Sequence, residues 1–204
     1  LRDVRAIADK YGIRLILDAS LLGENAFLVL QREEEFKNSD MKTIIHTMTG
    51  LADLVYFSAR KLSSSRGGGI CTDSLEIFRE LEAFIPLYEG FLTYGGMSIR
   101  EVEAMAVGLY ETLDETMISQ SPTFIKYLVD ALDAKGVPVI KPAGVLGVHV
   151  DAMQVCAHIP QSQYPAGALA AALFLISGVR GMERGSVSNQ RDEYGNETYS
   201  DMEL

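Results

Sequence analysis

Apolar side chains recur every three or four residues at the start of the chain. Leu1, Val4, Ile7, Ala8 and Tyr11 share one helical face, and Gly12 is placed to stop that helix. "IRLILD" follows and predicts a strand ending at Asp18. Helical spacing resumes between Phe36 and Gly50 through Met41, Ile44, Ile45 and Met48, with Asn38 or Ser39 as the opening cap. "LVYFS", Leu54 to Ser58, reads as a second strand and "GGGICT" as a third. "SLEIFRELEAFI" reads as a helix capped by Asp73 or Ser74. This order favours a parallel or mixed sheet covered by helices.

"EGFLTYGGMS" interrupts the regularity with Gly90, Gly95 and Gly96, and Tyr94 sits among them. A long helix then runs from Ile99 to Leu113, and another opens at Ser119 or Ser121 and ends at Gly136. "VPVI" and "GVHVDA" predict two strands of a second, smaller layer, and Pro165 starts a helix to Ile176. The predicted fold class is α/β: part of a three-layer mixed sheet covered by helices, followed by a smaller α+β domain. The boundary lies within residues 114–121 and gives domains of residues 1–116 and 117–204. Leu1 begins inside a helix and "NETYSDMEL" stops as apolar residues return. The chain therefore reads as a fragment of a longer polypeptide, or one part of a split one, with both ends lacking packing partners.

Charge narrows the partners. A net charge of −10 argues against nucleic acid, which needs clustered Lys and Arg. No apolar run is long enough for a membrane span, and the first helix carries charges throughout, unlike a signal peptide. Cys71 and Cys156 lack CxxC spacing and read as buried free thiols of a cytoplasmic protein more readily than as a disulfide. His46, His149 and His158 show no metal spacing, so no metal site is expected. "REEEF", Arg32 to Phe36, reads as a solvated charged turn.

In open α/β sheets ligands bind beyond the carboxyl ends of the strands. Two such ends carry ionisable groups: Asp18 after "IRLIL" and Lys61 after "LVYFS". If the strands are neighbours, a carboxylate and an amine face one crevice. A pyridine aldehyde uses both, the amine forming an imine and the acid keeping the ring nitrogen protonated. Ser58 and the glycine-rich loop would add donors for a phosphate. Spacing alone leaves other readings open: an aspartate after a strand also serves as a helix cap, and a lysine in a Ser/Gly loop also stands in solvent.

Longer stretches carry a resemblance. "LDASLLGENAFLVLQREEEFKN", "FSARKLSSSRGGGIC", "YEGFLTYGGMSIREVEAMAVGLYE" and "HIPQSQYPAGALAAALFLISGVRGMERG" are similar, in the same order, to segments of the β-eliminating lyases, the family of tyrosine phenol-lyase and tryptophanase. "MERG" is closer to the phenol-lyase side. The resemblance implies a pyridoxal-phosphate enzyme of the aspartate-aminotransferase fold type, with a large and a small domain, assembled as a homodimer or homotetramer with sites at the interface. It matches Lys61 to the Schiff-base lysine, which also takes the substrate's α-proton, and Asp18 to the partner of the ring nitrogen. Ser58 matches a phosphate contact, and Arg60 stands where the family has a second lysine. Tyr94 lies in a segment that approaches the site, and Arg184 matches the arginine that addresses a phenol side chain. For Arg184 the other reading is a surface ion pair with Glu183 or Asp192.

This sequence departs from the family's pattern at several positions. Leu21 replaces an arginine that contacts the cofactor's ring oxygen, Leu146 replaces a small-domain histidine, and Leu62 replaces an aspartate. The loop after Lys61 is one residue shorter and lacks an asparagine that helps hold a monovalent cation. The resemblance therefore carries over neither cation dependence nor strict phenol specificity. The implied activity is β-elimination from an L-amino acid, giving the released side chain, pyruvate and ammonia. A carbon–sulfur lyase acting on cysteine or its S-substituted forms is the first alternative, since a thiolate needs less acid assistance than an aromatic carbon. A lyase-fold scaffold without turnover is the second.

Overall fold

Two adjacent strands run in the same direction because the segment between them is long enough to cross back over the sheet. β1 (Ile16–Asp18) pairs in parallel with β2 (Leu54–Ser58), Leu17 opposite Val55 and Asp18 opposite Tyr56. β3 (Gly68–Cys71) then pairs antiparallel with β2, so the sheet order is β1-β2-β3. This computed structural model describes residues 1–199 and 201–204. They divide into two compact units, Leu1–Pro122 and Thr123–Leu204.

In the first unit α1 (Arg2–Tyr11) ends at Gly12, whose φ of 63° is the left-handed conformation that a glycine stop provides. Of its apolar positions only Ala8 is buried; Leu1, Val4, Ile7 and Tyr11 are exposed. Asp53 joins the helix to the strands: one carboxylate oxygen accepts from Arg5 Nη1 at 2.8 Å and from the Leu15 amide at 2.6 Å. The crossover consists of α2 (Leu22–Arg32) and α3 (Met41–Thr49), the latter capped by Asp40. Ala26, Leu30, Met41 and Ile44 form the core between them.

The segment from Leu22 to Arg32, where the sequence pattern predicts no element, is thus a helix. It lacks a side-chain cap and has Gly23 in its first turn, so its start signals are weak. It is helical because Leu22, Ala26 and Leu30, four residues apart, are all buried. Gly23 is itself a contact: a Cβ there would come within 2.6 Å of the Thr112 methyl.

The sheet is covered on one face. Leu17, Val55 and Phe57 pack with Ala19, Leu22 and Leu62. Ile16, Tyr56 and Ile70 alternate to the other face and are exposed. The predicted mixed sheet is present, but among the described residues only one covering layer packs on it. The rest of the unit comprises α4 (Ala59–Leu62), α5 (Leu75–Glu82), α6 (Phe84–Tyr88), α7 (Ile99–Glu111) and α8 (Glu115–Ile118). α7 opens with a capping box between Ser98 and Glu101.

The second unit holds most of α9 (Gln120–Asp133), then α10 (Ala152–Val155) and α11 (Pro165–Ser177). The two strands predicted at "VPVI" and "GVHVDA" reduce to a single antiparallel bridge, Val139 with Val150. Pro138, next to the bridged Val139, and Pro142 have no amide hydrogen to extend the ladder. At the chain's end the expectation of unpartnered residues does not hold. Leu204 exchanges two 2.8 Å backbone hydrogen bonds with Arg184. No helix among the described residues is long and apolar enough to cross a membrane.

Candidate active site at the strand ends

Parallel pairing puts the carboxyl ends of β1 and β2 side by side, and Asp18 and Ser58 are their last residues. A small hydrogen-bond network joins them. The Asp18 carboxylate accepts from the Ser20 amide at 3.0 Å, and the Ser58 amide donates to the Ser20 hydroxyl at 3.2 Å. The Ala19 amide continues the ladder by donating to the Tyr56 carbonyl at 2.8 Å. Tyr56 stands directly across from Asp18, where its hydroxyl acts on the same carboxylate.

These donors hold the Asp18 carboxyl below the usual carboxylate range, the Ser20 hydroxyl and amide contributing most. Desolvation opposes them, and the two weakest influences, Tyr56 and then the positive charge of Lys61, act in the same direction as Ser20. The Tyr56 phenol is pushed up, chiefly by its hydrogen bond to Asp18. The charge of Lys61 reaches Asp18 only as the weakest of these influences, across 43 positions of sequence (61 − 18). Asp18 itself is exposed, on the uncovered face of the sheet with Tyr56.

Lys61 is carried by a short helix whose backbone is tightly held. Ala59 and Leu62 on either side of it are buried, and Leu62 belongs to the core under the sheet. Leu62 stands where the family has an aspartate, and here the position is a packing contact. The Ala59 carbonyl accepts from the Ser63 amide at 2.9 Å and the Ser65 amide at 3.1 Å, and the Ala59 amide donates to Gly67 at 3.0 Å. α7 braces the loop from outside. Thr112 Oγ1 donates to the Leu62 carbonyl at 3.1 Å, and a Cβ on Gly108 would come within 2.0 Å of the Ser63 carbonyl oxygen. Only glycine allows that approach.

A cleft of about 160 Å³ opens beside this brace, lined by Lys61, Glu24, Glu111, Thr112 and neighbours. Burial pushes the Glu24 carboxyl up. A more open hollow of about 530 Å³ lies between the serine loop and the start of α7, with Arg66, Arg100 and Glu101 in its lining.

The glycine run has a structural explanation. Gly68 and Gly69 pair with β2, where a side chain would meet the Phe57 carbonyl at 2.4 Å or the Phe57 ring at 2.6 Å. Gly67 has a φ of +84° and packs under Met97.

The other candidate residues are less closely tied. Arg60 is exposed next to Lys61 and forms no ion pair among the described residues. Tyr94 is exposed, set against Phe91 with ring centroids 5.4 Å apart and the rings tilted by 34°, and no hydrogen bond joins it to Asp18 or Lys61. Its segment reaches the Lys61 loop through the Met97–Gly67 contact. Leu21 is half-buried at the start of α2, and Leu146 in the second unit is exposed.

Arg184, also in the second unit, is exposed, and the surface ion pair with Glu183 or Asp192 is not formed. Glu183 accepts from the Ser188 hydroxyl and Asp192 from Asn196. Sequence reasoning missed Ser20 and Tyr56. The first had a local signal, an Asp-x-Ser turn after a strand. The second depends on strand register, which no local pattern reveals.

A model of the beta-eliminating lyase family matches residues 1–204, the whole chain. This chain belongs to that family. It is 39% identical over 194 residues to the tyrosine phenol-lyase of Pasteurella multocida, covering 95% of this chain and 42% of that one. It is 39% identical over 205 residues to the tryptophanase of Salinibacter ruber, covering 100% of this chain and 44% of that one. The chain thus spans less than half the length of these relatives. A crystal structure from Listeria monocytogenes EGD-E, of a proposed L-allo-threonine aldolase, superposes with a TM-score of 0.54 at 18% identity. It covers 89% of this chain and 45% of that one. That likeness extends to the fold alone. The family as a whole uses pyridoxal phosphate, as the resemblance implied.

Proposed function

We propose that the protein acts as a pyridoxal-phosphate-dependent lyase that eliminates the β-substituent of an L-amino acid, releasing the side chain with pyruvate and ammonia, in the manner of tyrosine phenol-lyase. The single observation that supports it best is the parallel pairing of β1 and β2, which puts Asp18 and the start of the Lys61 helix at the same end of the sheet. The donor set there fits the cofactor. Lys61 would hold it through Nζ and Asp18 would face its ring nitrogen, with Ser58 and Arg60 toward the phosphate end. The bound cofactor would supply an electron sink for charge left at the substrate's α-carbon.

The chain's own residues then have separate tasks. The Asp18 carboxylate, kept ionised by Ser20 and Tyr56, holds a proton on the ring nitrogen. The Lys61 amine takes the α-proton and can return it. Arg184 orients the leaving group or donates to it, and Tyr94 approaches from its glycine-rich segment. Assembly as a homodimer or homotetramer belongs to the same proposal. So does a reducing, cytoplasmic setting, which the two free cysteines support: Cys156 is buried, as expected, whereas Cys71 at the end of β3 is exposed.

The second reading, a carbon–sulfur lyase, is favoured by Leu21 and Leu146, which bring no polar group to positions where the family has an arginine and a histidine. Tyrosine, tryptophan and S-substituted cysteines offered to the full-length protein decide between the two by pyruvate release. Release from tyrosine is the expected result, and release from the sulfur substrates alone would transfer the assignment to the second reading. A protein that stays colourless with added pyridoxal phosphate would end both.

A further inference from the structure

Glu203 is fully buried in the second unit, yet among the described residues it forms no ion pair. One carboxylate oxygen, Oε1, accepts from the Ser186 amide at 2.8 Å and from Gln161 Nε2 at 3.4 Å. The other, Oε2, has no hydrogen-bond partner. A buried carboxyl with an unanswered oxygen is a poor stabiliser on its own account. What it does achieve is the placement of one short segment.

That segment is "MERG". The Arg184 amide donates to the Leu204 carbonyl and the Leu204 amide to the Arg184 carbonyl, each at 2.8 Å, so the residue after Glu203 is clamped to Arg184. Two residues beyond Arg184, the Ser186 amide rests on the Glu203 carboxylate. Between these attachments lies Gly185, with an extended φ of −175° that any residue could adopt. It is glycine for lack of room: a Cβ would sit 2.2 Å from Glu203 Oε2. The Glu203 carbonyl also accepts from the Ala152 amide at 2.8 Å, which fixes the brace to the start of α10.

We infer that Glu203 is a positioning residue for Arg184, holding the arginine's backbone from beneath so that its exposed guanidinium is presented in one place, and that it thereby sets leaving-group preference. The inference rests on the role proposed above for Arg184. Glu203 touches neither substrate nor cofactor in this account and acts only through that arginine.

The test uses the full-length protein with Glu203→Ala, Glu203→Gln, Arg184→Gln and the double variant Glu203→Ala/Arg184→Gln. The first readout is trypsin cleavage after Arg184 relative to other sites. The brace predicts that Glu203→Ala speeds it on the order of tenfold by raising local opening, while Glu203→Gln, which keeps an acceptor for the Ser186 amide, stays near wild type. The second readout is the ratio of kcat/KM for tyrosine to that for an S-substituted cysteine. Within one preparation this ratio does not depend on the folded fraction. Glu203→Ala should shift it on the order of tenfold, since small misplacements of positioning groups have effects of that size or larger. In the Arg184→Gln background it should cause no further shift.

Unchanged cleavage in Glu203→Ala overturns the inference, as does an equal shift of the ratio with and without Arg184. If the wild-type protein releases no pyruvate from any of these amino acids, the lyase reading falls, and the cleavage rates still decide whether the brace exists.

Discussion

The strand-end crevice of the first unit and the "MERG" brace of the second solve one problem in opposite ways. Each presents a basic side chain to solvent and fixes the backbone beneath it. In the crevice the acid, Asp18, is exposed and surrounded by donors, while apolar Ala59 and Leu62 secure the short helix that carries Lys61. In the brace the acid, Glu203, is itself the buried anchor, and one of its oxygens goes unanswered. An acid that must act on a ligand has to stay ionised and accessible, which suits a strand end. An acid that only holds a loop can be buried, provided that backbone amides meet part of its demand.

The comparison breaks most visibly at Lys61. Lys61→Ala in the full-length protein should abolish the borohydride-fixed cofactor label and lower turnover by about 10²–10⁴-fold or more, the usual range for a lost acid–base group. The melting temperature should barely move, because Lys61 is exposed and its neighbours form the anchor. A labelled, active Lys61→Ala protein would remove the crevice from the argument.

Gly108→Ala probes the anchor in place of the chemistry. The added methyl would meet the Ser63 carbonyl at 2.0 Å, so α7 or the Lys61 loop must shift. Overpacking of this kind costs about 1–3 kcal/mol. Denaturant unfolding should show that loss, together with weaker cofactor retention as Lys61 is displaced. Unchanged stability would mean that α7 does not brace the loop.

Legibility followed the range of the interactions. The two strand ends at Asp18 and before Lys61 were readable because each is marked locally by a β-rich run and a change of composition. α2 was missed because no cap announces it and its helicity depends on burying Leu22, Ala26 and Leu30 against distant residues. "VPVI" and "GVHVDA" looked like strands by composition, but the flanking prolines left a single bridge. The glycines after Lys61 suit a phosphate by composition, and they also leave room for Phe57 and Met97, which only the folded chain brings near. Glu203 had no local signal at all, since its partners lie 17 and 42 positions away.

The smallest expected effect tests how finely the crevice is tuned. Ser20 and Tyr56 both donate to the ionised form of Asp18, so each keeps its carboxyl below the ordinary range, with Ser20 the stronger. Removing a donor to the charged form must raise the titration midpoint. A carboxyl-resolved NMR titration should therefore find Asp18 lowest in wild type, higher in Tyr56→Phe and higher again in Ser20→Ala. The linked stability has the same sign. Because the folded pKa lies below the unfolded one, the contribution is present above about pH 4 and fades as pH falls through the lowered folded value. The group is exposed, so this part of the acid transition should be slight. If Tyr56→Phe moved the midpoint more than Ser20→Ala, the cross-strand phenol and not the serine turn would be the main support of the site's acid, and the strand register would have set the chemistry more directly than the local turn.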